Sequence, residues 1–197
     1  PTNSIPSKIK SLLDLIRFNK PIGFALLVWP CWFSLASLSI NQLNNLKWYL
    51  FFLIGSFLMR SAGCIVNDLV DIKIDKKVER TSQRPLVIKS VNISEAIIFL
   101  ILLLLLSFLV LIQFNFKAIT IGLLSIPIVI LYPYMKRITY WPQLVLGIIF
   151  NWGILIVSMQ FNGYLSTSSI ILYVGCIFWT LGYDTIYAYQ DREDDIK

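Results

Sequence analysis

Six long apolar runs govern what this chain can fold into. They lie at about 21–40, 48–67, 94–114, 117–134, 143–161 and 168–188, and each approaches the roughly 20 residues that carry a helix across a hydrocarbon core. No soluble core has room for so many separate runs of that length. In lipid every backbone amide must find its partner inside the protein, so only helices and closed barrels span. The runs are continuous and lack the alternation of barrel strands. The reading is therefore an all-α integral membrane bundle of about six transmembrane helices, one domain covering residues 1–197. Only 14% of residues are charged, against about 25% in a soluble domain.

The basic residues orient the bundle. Lys47 and Lys117 fall on one side of the spans, and Arg60 falls within a span. Every other Lys and Arg, from Lys8 through Lys136 and Arg137 to Lys197, falls on the opposite side. The positive-inside rule makes that side cytoplasmic. The net charge of +6 is thus a loop asymmetry, and no basic-aromatic pattern points to nucleic acid. Arg17 and Lys20 either guard the entrance to the site or anchor the first span at the interface, and anchoring is the favoured reading. Residues 1–20 lack the order of a cleavable signal peptide. The three cysteines are far apart in apolar runs, so neither disulfides nor a thiolate metal site is expected. There is no histidine, which removes the commonest general base and zinc ligand. Chemistry here rests on carboxylates, Lys, Arg, Tyr, Asn or a bound cation.

The acids narrow the choice. All eleven lie on the basic side, which topology does not require, because acids contribute little to orientation. Most belong to two clusters at span ends. In "NDLVDIKID" the carboxylates of Asp68, Asp71 and Asp75 fall within about 60° of helix surface, and Asn67 widens the arc to about 100°. In "DTIYAYQDREDD" the residues Asp184, Asp191 and Asp195 fall within about 40°. Massed carboxylates repel one another and tend to protonate. A divalent cation removes that conflict, and Mg2+ prefers oxygen ligands together with water and phosphate oxygens. Two acidic stripes around Mg2+ make a clamp for a diphosphate, with Arg80, Arg84, Lys136 and Arg137 on the same side of the spans to meet the remaining oxygens.

These stretches resemble the UbiA family of intramembrane prenyltransferases. Asn67, Asp68, Asp71 and Asp75 fill an NDxxDxxxD motif in register, and Asp191 and Asp195 fill a DxxxD motif. "ERTSQRPL" between them is similar to the family as well. "RFNKPIGFALLVWP" (17–30) and "LYPYMKRITYWPQLVLGIIFNWG" (131–153) resemble the subgroup that prenylates 4-hydroxybenzoate. The resemblance implies transfer of a polyprenyl group from its diphosphate to the ring carbon ortho to the phenol of 4-hydroxybenzoate, a step of ubiquinone biosynthesis. It implies that Asn67, Asp68, Asp71, Asp75, Asp191 and Asp195 hold Mg2+ and, through it, polyprenyl diphosphate. Arg137 is the first candidate to pair the acceptor carboxylate, and it serves the diphosphate equally well.

Other residues leave alternatives open. Arg60 lies seven positions before Asn67, on nearly the same helix face. It either snorkels to the interface or pairs a ligand inside the cavity. Asp184 orients a substrate rather than binding metal, and Tyr187 is a candidate cavity residue beside it. Arg84 with Pro85 fixes the loop that covers the site. The family implies about nine spans against about six here, so its last three helices are expected to be missing from this stretch. Rival readings are prenyl transfer to homogentisate or a naphthoate and, from another class, a cation-coupled transporter. A transporter would place its acids near the midplane within repeats. The expected location is the bacterial inner membrane, or the mitochondrial inner membrane in a eukaryote, with the site on the cytoplasmic side.

Overall fold

Once a chain is committed to lipid, its helices begin and end where capping residues, prolines and charges allow. The computed structural model describes residues 5–38 and 42–190, with residues 5, 6, 42–45, 136, 137 and 190 described through the backbone alone. All regular structure among them is helical: α1 (Ile5–Leu15), α2 (Ile22–Ser37), α3 (Gln42–Asp75), α4 (Ile93–Leu111), α5 (Phe116–Leu124), α6 (Ile126–Ile138), α7 (Pro142–Phe150), α8 (Gly153–Phe161) and α9 (Thr167–Gln190). Five stretches are long and apolar enough to cross a membrane: Leu46–Asp75, Ile93–Leu111, Phe116–Met135, Pro142–Phe161 and Thr167–Tyr189. The helix α2, at 16 residues, is a shorter apolar sixth. The protein is a multi-pass membrane bundle, as the apolar runs indicate.

Two spans are each built from two helices. Ser125 ends α5, and its hydroxyl donates to the Gly122 carbonyl. Pro127 then opens α6, where a missing amide hydrogen costs least. The second break lies at Asn151 and Trp152, between α7 and α8. Asn151 is buried, and its Nδ2 donates to the Gly147 carbonyl at 2.7 Å and to Thr180 Oγ1 at 3.0 Å. The polar groups of the break are thereby tied to α9, which lipid demands.

α3 is the spine. At 34 residues it extends about 51 Å, more than a bilayer core, so its C-terminal turns emerge carrying the acidic stripe. One apolar cluster packs near that end: Leu15, Ile16, Leu58, Ala62, Ile65, Leu86, Val91, Ala96 and Leu103. A second packs near the other end, from Cys31, Leu35, Phe52, Phe114, Ala118 and Val157. At that far end Asn115 caps α5 by accepting from the Ala118 amide, and it donates to the carbonyls of Met159 and Gln160. The outer surface is greasy. On α4 only Ala96 and Leu103 are buried, while Ile97, Ile98, Ile101, Leu102, Leu105 and Leu109 are exposed. A soluble monomer does not tolerate such a patch; hydrocarbon does.

α9 is held to α7 by close approach. A Cβ on Gly147 would meet the Ile177 backbone at 3.3–3.4 Å, the small-residue contact typical of membrane helices. The Asn151–Thr180 bond sits beside it. Asn151→Ala should lower stability in detergent by about 1 kcal/mol, read by thermal unfolding. Thr180→Val should cost a similar amount, and the double variant less than the sum of the two. A fully additive double variant would show that the bond contributes nothing.

Candidate active site

The site is assembled from the polar residues that the apolar helices carry to one end. α1 stops there in a Schellman turn: the Phe18 amide donates to the Leu13 carbonyl and the Arg17 amide to that of Asp14, both at 3.0 Å. The turn places Arg17 in the left-handed region, φ 55, a position where glycine is favoured. From it the Arg17 side chain reaches α3. Its Nη2 donates to Asp68 Oδ1 at 2.8 Å and its Nη1 to Cys64 Sγ at 3.3 Å. Burial works against the charge of Arg17, yet Cys64 and Asp68 outweigh it and hold the pKa above its ordinary value. Arg17 is a fixed cation.

A second arginine enters from the loop after α3. Arg84 Nη1 lies 2.6 Å from Asp75 Oδ2 and 3.1 Å from Asp68 Oδ1. The result is a chain of alternating charge, Arg17–Asp68–Arg84–Asp75. Asp68 and Asp75 are buried, at 2% and 5% exposed. A buried carboxylate needs such partners. Thr81 holds the loop in place, its hydroxyl donating to the Asp75 carbonyl at 3.0 Å. The loop is further pinned where Lys8 Nζ donates to the Ser90 carbonyl and to Glu95, while Glu95 also accepts from the Asn92 amide at the start of α4.

The remaining expected residues fall around this chain of charge. Asn67 and Asp71 are half-buried on α3, and Arg80 is exposed on the loop. Asp184 is half-buried on α9, and Tyr187, one turn on, is exposed. Tyr132 on α6 lies within electrostatic reach of Asp184, Arg60 and Arg17. Tyr183 on α9 is within reach of Asp184 and Arg60. Charged and phenolic groups of α3, α6, α9 and the α1–α2 turn thus lie within electrostatic reach of one another. Lys136 and Arg137 lie in the last turn of α6, with their backbone alone described. Asp191 and Asp195 lie outside the described residues.

Arg60 turns inward. Its guanidinium carbon is 5.7 Å from the centre of the Phe150 ring, a cation–π distance. It packs so closely on α2 that a Cβ at Gly23 would meet Arg60 Nε at 2.6 Å. A small crevice runs between the α1–α2 turn and α3, lined by Arg17, Lys20 and Arg60 together with Phe24, Phe57 and Ser61. No acid lines it among the described residues. The arrangement sets an acidic stripe against a basic crevice, with Arg17 touching both.

The pairing of Arg17 with Asp68 is what sequence reasoning missed. Anchoring is favoured there over a place at the site entrance, because the partner lies 51 positions away. The donors of the acidic stripe are oxygens, the type a hard cation prefers, but among the described residues no three acidic, His or Cys side chains converge on one point as a metal site. Asp68 engages arginine through Oδ1 and Asp75 through Oδ2.

Comparison with known proteins bears on the whole arrangement. The model of the UbiA prenyltransferase family matches residues 27–197. A mitochondrial 4-hydroxybenzoate polyprenyltransferase of Caenorhabditis elegans is 47% identical over 195 residues, which are 98% of this chain and 55% of that protein. A 4-hydroxybenzoate octaprenyltransferase of Pseudoalteromonas translucida is 41% identical over 98% of this chain and 65% of its own length. The chain thus spans roughly half to two thirds of these curated relatives. Among solved structures, a UbiA homolog from Aeropyrum pernix K1 shares the fold at TM-score 0.64 with 24% identity, over 96% of this chain and 65% of its own. A digeranylgeranylglyceryl phosphate synthase structure does so at TM-score 0.71 with 22% identity, over 95% and 65%.

The charge chain makes a prediction of its own. Arg84→Ala strips Asp75 of its cation and should cost about 1–3 kcal/mol in thermal unfolding. Combining it with Asp75→Asn should recover most of that loss, because the unpaired buried charge goes with it. Losses that simply add would show that the pair is not coupled.

Proposed function

This chain belongs to the UbiA prenyltransferase family, and on that premise we propose that it transfers a polyprenyl group from polyprenyl diphosphate to the ring carbon ortho to the phenol of 4-hydroxybenzoate, a step of ubiquinone biosynthesis. The observation that carries this reading is the alternating chain of two carboxylates and two guanidiniums at the membrane end of α3. Such a cluster gathers at one place the carboxylates that would meet a cation and the guanidiniums that would meet an anion. The names of the C. elegans and Pseudoalteromonas relatives favour 4-hydroxybenzoate as acceptor over homogentisate or a naphthoate.

Each part of the chain has a role in this reading. Asn67, Asp68, Asp71 and Asp75, with Asp191 and Asp195, are the residues that would hold Mg2+. When bound, Mg2+ supplies charge neutralisation for the departing diphosphate. Arg80, Arg84 and Lys136 meet the diphosphate oxygens, where guanidinium donors match the anion's geometry. The bond between the allylic carbon and the diphosphate oxygen breaks, and both electrons leave with the diphosphate. The ring carbon ortho to the phenol then attacks the allylic cation, and the proton at that carbon is lost.

The aromatic acid needs a cation of its own. Arg137 and Arg60 are the candidates. Arg60 is supported by its inward position beside Phe150, where its guanidinium would pair with a benzoate carboxylate. Asp184, within the same interior, orients the acceptor, and Tyr187 borders it. The polyprenyl tail takes the apolar surface that the bundle offers to lipid. We place the site on the cytoplasmic side of a bacterial inner membrane, or in the mitochondrial inner membrane of a eukaryote.

The test is an assay in membranes with labelled polyprenyl diphosphate and 4-hydroxybenzoate, with and without Mg2+. Asp71→Ala should lower turnover at least about a hundredfold. Arg60→Gln should raise the KM for 4-hydroxybenzoate about tenfold or more while leaving that for the donor near its original value. Prenylated product that is indifferent to Asp71→Ala would overturn the assignment. A cation-coupled transporter would instead show ion-driven uptake and no product.

A further inference from the structure

Among the described residues, α1 leaves one edge of its apolar stripe open. At about 100° per residue, Leu12, Ile16, Ile9 and Leu13 share an arc of about 100° on this helix. One edge of the arc is packed: Ile16 is buried in the apolar cluster beneath the site, and Leu12 rests against it. The other edge is open, with Ile9 53% and Leu13 37% exposed. Phe18 in the turn after α1 and Ile88 in the loop after α3 are open too, at 54% and 52%. All four lie outside α2 and outside every stretch long and apolar enough to cross a membrane. The hydrocarbon core therefore does not account for them, and water is a poor solvent for such a patch.

Lys8 fixes their level. Its Nζ donates to the Ser90 carbonyl and to Glu95 in the first turn of α4. From that turn onward α4 exposes Ile93, Ile97 and Ile98. The helix α1 and the corner at Ile88 thus lie where hydrocarbon gives way to headgroups. Lys8 and Lys10 stand on opposite borders of the α1 stripe, and Lys89 directly follows Ile88. Lys10 and Lys89 are exposed. The nearby acids are engaged within the protein: Glu95 by Lys8, and Asp14 as acceptor from Asn19 Nδ2 at 3.2 Å. An apolar edge bordered by exposed lysines is the composition of a helix lying in a membrane interface.

We propose that α1 and the Ile88–Lys89 corner form a docking surface for anionic phospholipid in the leaflet on the basic side of the bundle. Ile9, Leu13, Phe18 and Ile88 enter the boundary between headgroups and acyl chains, and Lys10 and Lys89 take headgroup phosphates. The inference rests on the membrane bundle alone and is independent of prenyl transfer. It bears on the site because the turn after α1 carries Arg17 to Asp68. Lipid on one edge of α1 and the bundle on the other hold that turn between them.

The test uses the full chain in nanodiscs of mixed phosphatidylcholine and phosphatidylglycerol, with nitroxide labels introduced through Ile9→Cys, Leu13→Cys and Asp14→Cys in separate samples. The native cysteines are buried, so the introduced thiol takes the label. At positions 9 and 13 collision with oxygen should exceed collision with an aqueous nickel chelate roughly threefold or more, and at position 14 the order should reverse. Lys10→Gln combined with Lys89→Gln should lower the preference of the protein for spin-labelled phosphatidylglycerol over phosphatidylcholine at least about threefold. Its melting temperature should stay near that of wild type, because both side chains are exposed. Labels at 9 and 13 as open to the nickel chelate as that at 14 would overturn the proposal. Labels shielded from both probes would overturn it in favour of a second copy or another protein on this face. A lipid preference unchanged in the double variant would overturn it as well.

Discussion

The ion pairs of Arg17 and Arg84 with Asp68 and Asp75 are the constraint around which the rest of the structure is arranged. Two carboxylates, 2% and 5% exposed, cannot sit at the end of an apolar bundle unless cations are delivered to them. Delivery comes from both directions along the chain. α1 and its turn bring Arg17 from the N-terminal side, and the loop after α3 brings Arg84 from the other. The apolar cluster below the site is made of the same segments: Leu15 and Ile16 precede Arg17, Leu86 follows Arg84, and Leu58, Ala62 and Ile65 lie on α3. Packing and ion pairing therefore hold one another in register.

Lipid explains the remaining economy of the fold. The apolar effect does little to drive helix against helix in hydrocarbon, so small residues and polar pairs take over. Gly23 admits the Arg60 side chain, Gly147 admits Ile177, and Asn151 bonds Thr180 across a helix break. Each of these contacts orients an element that bears a site residue: α3 for Arg60 and the acidic stripe, α9 for Asp184. The exposed leucines and isoleucines of α4 do the opposite work, facing the solvent that the bundle lives in.

Much of this was legible in the sequence, because the signals are strong and local. The apolar runs fall on the helices, and the register of Asn67, Asp68, Asp71 and Asp75 requires a helix continuing past the span, as α3 does. The family resemblance, resting on both acidic motifs, agrees with the family that residues 27–197 match. Arg17 was not legible. Topology alone accounts for a basic residue before the first span, and no local pattern announces a partner 51 positions on. The left-handed turn was equally hidden, since arginine gives no hint of positive φ. A kink beside Ser125 was legible from Pro127, but the break at Asn151 was not: apolar continuity across it matches an unbroken helix, and only the bond to Thr180 reveals that its polar group is satisfied.

The central claim is that the α3 carboxylates hold a divalent cation facing a diphosphate. The most direct measurement is an anomalous diffraction map of crystals grown with Mn2+ and pyrophosphate. The account predicts a peak about 2.1 Å from carboxylate oxygens of the Asp68, Asp71 and Asp75 stripe. A peak elsewhere in the bundle, or none, would contradict it.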